Sequence, residues 1–208
     1  MGASIRLAKQ ISGIASNSAV TSEQPIQDDR GNGKDTPSKT GAADVPVSHE
    51  PCTKPDYLHN NVRYNAANTL LLDDDEDAVM MEWEKPLMHA HASVITHNGS
   101  KRKRVLNIGF GLGIVDTALQ SHEPSFHVII EAHPTVYDKM IKDGWGKKEN
   151  VRICFGRWQV ELPKLISEGL VFDGIFYDTY GEHFTDLEDF HAIMAQSLSK
   201  PDGVYSFL

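Results

Sequence analysis

The sequence lacks three features that would each point to a broad class of protein. Its 208 residues contain 20 Lys and Arg against 29 Asp and Glu, a net charge of −9 that argues against a general nucleic-acid binder. Its two cysteines, Cys52 and Cys154, form no C-x-x-C pair and predict no metal site or disulfide, and Cys154 is expected in the core. No apolar run approaches the roughly 20 residues that a membrane-spanning helix needs. We therefore expect no nucleic-acid, membrane or metal partner, and the oligomeric state stays open.

Large apolar residues are scarce in the first quarter of the chain. Residues 15–55 are dominated by Ser, Asp, Gly, Pro, Thr and Lys, which cannot bury enough surface to offset the entropy of ordering. Residues 1–22 contain two basic residues and no acid, so a transit peptide is the alternative to a disordered tail. We predict a disordered tail over 1–56 and a domain over 57–208. We expect a cytoplasmic location, with the nucleus or an organelle as alternatives.

The domain is predicted to begin with short extended segments. Val62–Tyr64 and Thr69–Leu72 lie on either side of an Asn/Ala turn. The acidic run Asp73–Asp77 follows them, and we interpret it as a solvated loop that leads into a helix. Negative charge suits the positive N-terminal end of a helix, and metal binding is the alternative role for this run.

A helix is predicted over Ala78–Thr96. Pro86 is expected to kink or restart this helix, and Asn98–Gly99 to end it. Apolar residues at spacings of three and four predict one buried face. The residues of that face are Val79, Trp83, Leu87, Ala90 and Val94.

From residue 105 onward, apolar runs of strand length alternate with amphipathic segments of helix length. Such alternation is typical of a parallel sheet that is covered by helices on both faces. The predicted fold is therefore α/β and Rossmann-like, and its ligands should bind at the carboxyl ends of the strands. The predicted strands are Val105–Ile108, Phe126–Ile130, Val151–Phe155, Phe172–Tyr177 and Gly203–Phe207. The predicted helices are 112–121, 134–143, 159–168 and 185–199.

The first strand of this series runs into a glycine-rich turn. Gly109, Gly111 and Gly113 form a G-x-G-x-G pattern, and a turn without Cβ atoms lets the backbone approach a ligand closely. A dinucleotide-binding turn needs its third small residue at position 114, where this chain has Ile114. The spacing therefore favours a cofactor without a pyrophosphate group, such as S-adenosylmethionine. A glycine turn with a purely structural role is the alternative.

Polar and aromatic side chains follow the next three strands. Glu131 ends the second strand, where a carboxylate can accept hydrogen bonds from both hydroxyls of a ribose. Trp158 and Gln159 follow the third strand, beside the position expected for adenine, although Trp158 is also compatible with plain core. Asp178 ends the fourth strand and can pair with a cationic substrate. Glu84 is a candidate second acid, since two carboxylates can bind one guanidinium through charge-assisted hydrogen bonds, and an exposed helix acid is the alternative.

Five sequence blocks resemble one family of enzymes in order and spacing. Together they resemble the type IV protein arginine N-methyltransferases of fungi and plants, which methylate the internal (δ) guanidino nitrogen of arginine. The same blocks are similar to guanidinoacetate N-methyltransferase, the last enzyme of creatine synthesis. The resemblance extends roughly from Tyr57 to the end of the sequence. The blocks are Val79–Met88, Asn107–Gly113, Ile130–Pro134, Gly156–Gln159 and Asp178–Glu182.

The resemblance implies an S-adenosylmethionine-dependent N-methyltransferase that acts on a guanidino nitrogen. It implies that Asp178 and Glu84 contact the guanidino group as catalytic residues, and it implies no metal ion. The cofactor contacts that it implies are Tyr64, Met80, Met88, Gly109, Phe110, Gly111, Leu112, Gly113, Ile114, Glu131, Ala132, His133, Trp158, Gln159 and Asp178.

The two branches of this family predict different substrates. Glu131–His133 and Gly156–Gln159 resemble the arginine branch, whereas Trp83–His89 resembles the creatine branch. We favour an arginine-containing protein as the substrate, with a small guanidino compound as the alternative. The family continues past the fifth strand with a helix and antiparallel strands, so a truncated, non-catalytic protein of this fold is a further alternative. The glycine spacing disfavours a nicotinamide-dependent dehydrogenase.

Overall fold

Two β-sheets and the helices around them form the part of the chain that the computed structural model describes, residues 53–97 and 103–208. The predictions for residues 1–52 and for Asn98–Gly99 lie outside the described residues. The α-helices are α1 (Lys85–Thr96), α2 (Ile114–Ser121), α3 (Pro134–Lys142), α4 (Trp158–Ser167) and α5 (Phe184–Met194). Short 3-10 helices cover Tyr57–His59, Glu82–Glu84 and Trp145–Lys147.

The larger sheet has five parallel strands in the order β6-β5-β4-β7-β8. Neighbouring residues of its central strand are buried in different clusters, Val105 with α1 and α2 and Leu106 with α4 and α5, so both faces of the sheet are covered. The predicted Rossmann-like α/β fold is thereby confirmed. None of the described helices is long and apolar enough to cross a membrane. The strands are β4 (Arg104–Ile108), β5 (Phe126–Glu131), β6 (Val151–Phe155), β7 (Gly174–Tyr177) and β8 (Val204–Phe207).

The smaller sheet is antiparallel and corrects two predictions. Its strands are β1 (Arg63–Tyr64), β2 (Leu70–Leu72) and β3 (Ala78–Met81), in that order. The first two confirm the predicted extended segments. The predicted loop Asp73–Asp77 connects β2 to β3 and does not lead into a helix, and Asp73 is only 2% exposed.

The helix predicted over Ala78–Thr96 is wrong in its first third. β3 is followed by the 3-10 helix, and α1 begins at Lys85 with Pro86 in its first turn, where a missing backbone N–H costs nothing. Because the helix begins seven residues later than predicted, its buried face also differs, and Trp83 is 69% exposed. The buried residues of α1 are Met88, His91, Ala92 and Ile95.

Other element ends differ from the prediction by a few residues. α2 begins at Ile114 and not at 112, since Gly113 has a φ of +70° that a helix does not allow. α5 ends at Met194 and not at 199, and β7 begins at Gly174, because Phe172 and Leu198 pair instead in an isolated parallel bridge. Cys154 is buried, as predicted.

Candidate active site

A pocket of about 340 Å³ opens at the carboxyl ends of β4, β5, β6 and β7. Parallel strands point their carboxyl ends to one edge of the sheet, and the loops that follow them meet there. Eight of the sequence-predicted site residues line this pocket. They are Met80, Gly109, Phe110, Gly111, Glu131, Ala132, Trp158 and Asp178.

The other predicted cofactor contacts do not line this pocket, and three of them, Leu112, Gly113 and Ile114, line a second and smaller pocket of about 170 Å³. The Tyr64 hydroxyl donates to the carbonyl of Gly111 at 2.9 Å, and Met88 is fully buried in the core. The ring of His133 contacts the backbone carbonyl of Asn60 at 3.0 Å through Nε2. For all seven residues that do not line the first pocket, a contact to a ligand stays a prediction. The group comprises Tyr64, Met88, Leu112, Gly113, Ile114, His133 and Gln159.

Protein packing alone requires two of the glycines in the turn Gly109–Gly113, hereafter the glycine turn. Gly109 has a φ of +90°, and a Cβ there would lie 2.0 Å from the backbone oxygen of Asp178. At Gly113, with a φ of +70°, a Cβ would lie 2.4 Å from the ring of Phe110. The glycine turn is therefore pressed against the end of β7, which places Gly109 beside Asp178.

A buried polar network supports the glycine turn from below. The side-chain amide of Asn107 donates to the carbonyl of Gly109 at 2.7 Å and to both carboxylate oxygens of Asp116 at 2.9 Å. His127 Nε2 lies 3.0 Å from Asp116 Oδ1, and both side chains are fully buried. Asp116 is not among the predicted site residues, because an acid in the first turn of a helix usually lies at the surface and interacts favourably with the helix dipole.

Glu131 is held in place by the backbone around it. Its carboxylate accepts hydrogen bonds from the N–H of Phe110 at 2.8 Å and of His133 at 2.6 Å. Burial penalises the charged form and raises the pKa of Glu131 to about 7, although these backbone donors act in the opposite direction. The predicted ribose-binding carboxylate therefore stands fixed on the pocket wall.

Asp178 differs from Glu131 in having no such donors. Within the described residues, no side-chain or backbone group donates a hydrogen bond to its carboxylate. Burial raises the pKa of Asp178 to about 7, and the negative charges of Glu84 and then Asp116 act in the same direction. Glu84 does not line the pocket, but its charge acts on Asp178, and its Oε1 accepts from the Met81 N–H at 2.8 Å. The two predicted catalytic acids are therefore electrostatically coupled.

The residues just before the first 3-10 helix form one wall of the pocket. The sequence predicts these residues to be part of a disordered tail. Lys54 and Pro55 line the pocket, and the Lys54 N–H donates to the Gly181 carbonyl at 2.9 Å. The Lys54 ammonium lies among three carboxylates of the acidic run, 2.6–2.9 Å away, and the Tyr180 hydroxyl also donates to one of them, Asp73. Composition does not show such a long-range ion cluster. These carboxylates, Asp73, Asp75 and Asp77, lie close enough together to hold a metal ion, but the ammonium of Lys54 is already among them.

Glu182 ends the fifth sequence block but is not among the residues predicted for the site. Glu182 lines the pocket beside Trp158 and accepts hydrogen bonds from Trp158 and Gln159. Gln159 itself does not line the pocket; its side-chain amide donates to Glu182 at 3.0 Å and to Asp186 at 3.1 Å.

Two fungal proteins are similar to this chain over most of the described domain. Protein arginine N-methyltransferase 2 of Yarrowia lipolytica is 46% identical over 157 residues, which are 73% of this chain and 32% of that protein. The protein of the same name from Candida glabrata is 43% identical over 166 residues, 77% of this chain and 40% of that protein. The chain thus spans less than half the length of these relatives. A SAM-dependent methyltransferase from Agrobacterium tumefaciens superposes with a TM-score of 0.49 at 13% identity, over 69% of this chain and 50% of that chain.

A family model described as guanidinoacetate N-methyltransferase matches residues 46–208, well over half of the chain. The matched range contains the glycine turn, Glu131, Trp158 and Asp178 together with all the elements that hold them. The chain therefore belongs to the guanidinoacetate N-methyltransferase family, as its sequence blocks indicated.

Proposed function

We propose that this domain transfers the methyl group of S-adenosylmethionine to a guanidino nitrogen, and that the acceptor is the δ nitrogen of an arginine in a protein. The observation that carries the proposal is the carboxylate of Asp178, which lines the pocket beside the glycine turn without a hydrogen-bond donor in the described chain. Such a carboxylate is available to a ligand. A guanidinium offers several N–H donors in a planar arrangement that suits carboxylates.

The charge of the pocket supports a sulfonium cofactor over a dinucleotide. Glu131, Asp178, Glu182 and Asp186 line the pocket. Of the two basic residues Lys54 and Arg157 that also line it, Lys54 is surrounded by three carboxylates and Arg157 lies 3.8 Å from Glu182. A pyrophosphate group would meet mainly negative charge there, whereas the positively charged sulfonium would be attracted. Glu131 is placed where it can accept from ribose hydroxyls, and Trp158 offers an aromatic wall for adenine. When bound, S-adenosylmethionine would supply the methyl group.

Asp178 would act on the guanidino group in two ways. As a carboxylate it would accept N–H hydrogen bonds from the guanidinium and orient the nitrogen that receives the methyl group. Methylation of that nitrogen forms an N–C bond while the S–C bond breaks, and a proton must leave the guanidinium group. A carboxylate with a pKa near 7 can take that proton on an Oδ atom at neutral pH. Glu84 would add a second negative charge that favours a cationic substrate.

The same charge distribution supports arginine in a protein over guanidinoacetate. Guanidinoacetate carries a carboxylate that needs a positive partner. Of the described residues that line the pocket, Lys54 lies among three carboxylates and Arg157 lies 3.8 Å from Glu182. An arginine within a peptide chain carries no such carboxylate near its guanidino group. The alternative, guanidinoacetate, rests on the description of the matching family model and on the Trp83–His89 block.

Product analysis by mass spectrometry tests the proposed function. The protein is incubated with S-adenosylmethionine that carries a deuterated methyl group, together with guanidinoacetate or with an arginine-rich protein extract. We expect the label on arginine residues, with fragmentation placing it on the δ nitrogen. A label on guanidinoacetate alone would assign the alternative substrate. Labelling of neither acceptor, with cofactor binding intact, would contradict a methyltransferase function for this chain.

The raised pKa values predict a pH dependence of cofactor binding. With pKa values of about 7, Glu131 and Asp178 change from mainly protonated to mainly ionised between about pH 6 and about pH 8. The affinity for the cationic S-adenosylmethionine should therefore rise over that range, as calorimetric titration at several pH values can measure. Asp178→Asn should make the rise smaller. An affinity that is independent of pH in both proteins would contradict the assignment.

The same groups predict how stability changes with pH in the unliganded protein. The folded state keeps both protons to a higher pH than the unfolded chain does, since the two pKa values are raised on folding. The free energy of unfolding should therefore fall as the pH rises from about 4 to about 7 through these two groups. Urea unfolding of wild type and Asp178→Asn across that range isolates the contribution of Asp178.

A further inference from the structure

Glu182 is an acid of the pocket to which the proposed chemistry assigns no step. It lies in the loop between β7 and α5, and its side chain is 17% exposed. Four different groups donate hydrogen bonds to its carboxylate. The donors are Trp158 Nε1 at 3.0 and 3.1 Å to the two oxygens, Gln159 Nε2 at 3.0 Å, the Tyr177 hydroxyl at 2.5 Å and the Thr179 hydroxyl at 2.9 Å.

These donors occupy the hydrogen-bond acceptor positions of the Glu182 carboxylate. An ionised carboxylate offers about four lone-pair positions, and four donors already point at Glu182. Little capacity remains for the N–H groups of a guanidinium. Asp178, in the same pocket, receives no hydrogen bond within the described residues. The two acids therefore differ in what they can do, since Asp178 is open to a ligand and Glu182 is committed to the protein.

The donors come from two separate parts of the chain, the start of α4 and the end of β7 with the loop after it. Trp158 and Gln159 follow β6, the outermost strand on one side of the sheet, whereas Tyr177 and Thr179 lie at the end of β7. Two strands, β5 and β4, separate β6 from β7 in the sheet. Glu182 thus joins the loop after β7 to the start of α4, and no strand pairing connects these two parts of the pocket directly.

Trp158 is held both by core packing and by its contact with Glu182. Trp158 lines the pocket, and its ring packs edge-on against Phe190 with ring centroids 5.2 Å apart, so that the residue is only 4% exposed. The indole N–H has one donor direction, and it meets both oxygens of Glu182. These bonds add to the aromatic packing in fixing how the indole ring is turned.

We propose that Glu182 is a positioning residue, which holds the indole of Trp158 as the wall against which the adenine ring of the cofactor packs. The inference rests on the proposed function, because it assumes an adenosine-containing cofactor in this pocket. It assigns Glu182 to cofactor binding and not to recognition of the guanidino group.

Calorimetric titration with two ligands tests this role. S-adenosylhomocysteine carries the adenosine and amino-acid parts of the cofactor, whereas 5′-methylthioadenosine carries the adenosine part without the amino acid. Glu182→Met removes every acceptor at similar side-chain length, and Glu182→Gln keeps one acceptor oxygen. Glu188→Gln is the matched control, since Glu188 is exposed on α5.

We expect Glu182→Met to weaken both ligands by a similar factor of about ten, and Glu182→Gln to weaken both by about threefold. Glu188→Gln should bind both as wild type does. If Glu182→Met does not fold, as judged by circular dichroism, the result of Glu182→Gln decides. Wild-type affinity of the folded Glu182 variants for both ligands would overturn the inference, as would weakening of S-adenosylhomocysteine alone.

A double-mutant cycle identifies Trp158 as the group through which Glu182 acts. Trp158→Phe keeps an aromatic ring and removes the N–H donor. If Glu182 acts through that donor, Glu182→Gln should change the affinity for 5′-methylthioadenosine less in the Trp158→Phe background than in wild type. Fully additive effects would overturn the proposed route. Failure of wild type to bind either ligand would contradict the proposed function itself, and the ratio of variant to wild-type affinity tests only the inference.

Discussion

Asp178→Asn is expected to lower kcat for guanidino methylation by about a thousandfold while the affinity for S-adenosylhomocysteine changes only a few-fold. The substitution keeps the size of the side chain but removes the negative charge and the base. The carboxylate has no hydrogen-bond donor within the described residues, so its loss should leave no protein group newly unpaired. The effect should therefore appear in the chemical step, and any change in stability near neutral pH should be a gain, because the substitution removes a carboxyl group whose pKa is raised on folding.

Matched measurements separate this expectation from a general loss of function. Asp189→Asn is the control, because Asp189 is an exposed acid on α5, and it should retain wild-type kcat. Rates at saturating cofactor and acceptor, together with calorimetric titration of S-adenosylhomocysteine, give kcat and affinity independently. A kcat for Asp178→Asn within about tenfold of wild type would remove Asp178 from the chemistry.

Gly109→Ala is expected to lower the free energy of unfolding by about 3 kcal/mol or more and to abolish cofactor binding. Two costs add at this position. The φ of +90° is unfavourable for any residue with a Cβ, and that Cβ would lie 2.0 Å from the backbone oxygen of Asp178. A backbone atom cannot move aside as the end of a side chain can, so the glycine turn and the end of β7 would have to separate.

Gly169 provides a control that has the unfavourable positive φ but no clash of a Cβ with the backbone. It has a φ of +73° after the end of α4, and a Cβ there would meet nothing within 4 Å. Gly169→Ala should therefore cost only about 1 kcal/mol and leave cofactor binding unchanged. Urea unfolding curves of the two variants give the comparison. Equal losses of stability at the two positions would show that the contact between the glycine turn and β7 is unimportant.

The sequence predicts the parallel sheet well and the segment before it poorly, for a physical reason. Strands such as β4 and β5 are buried on both faces, so each reads as a mostly apolar run between glycine or polar turns, with one internal polar residue, Asn107 or His127. β3 is a short strand of a small antiparallel sheet, and its apolar residues match a helical period equally well. Trp83 also fits that helical period, so the sequence suggests an apolar helix face, but Trp83 is exposed in the structure. Only the pairing of β3 with β2 resolves the ambiguity, and that pairing is a tertiary contact.

The site residues divide in the same way, into those with a local signal in the sequence and those that depend on tertiary contacts. Glu131 and Asp178 were found because each acid directly follows an apolar strand, and the fold brings strand ends together. Lys54 and Glu182 were missed because their roles depend on partners 19–24 residues away in the sequence. A basic residue in a polar tail and an acid in a loop carry no local sign of such partners.

The most direct test of the account is a calorimetric titration of the wild-type protein with S-adenosylhomocysteine, with NAD as the comparison ligand. The pocket at the carboxyl ends of β4, β5, β6 and β7 predicts saturable binding of S-adenosylhomocysteine at one site per chain. It predicts no binding of NAD, whose pyrophosphate would face the carboxylates of the pocket. Absence of S-adenosylhomocysteine binding at millimolar concentration, or tighter binding of NAD, would contradict the assignment of this pocket to S-adenosylmethionine.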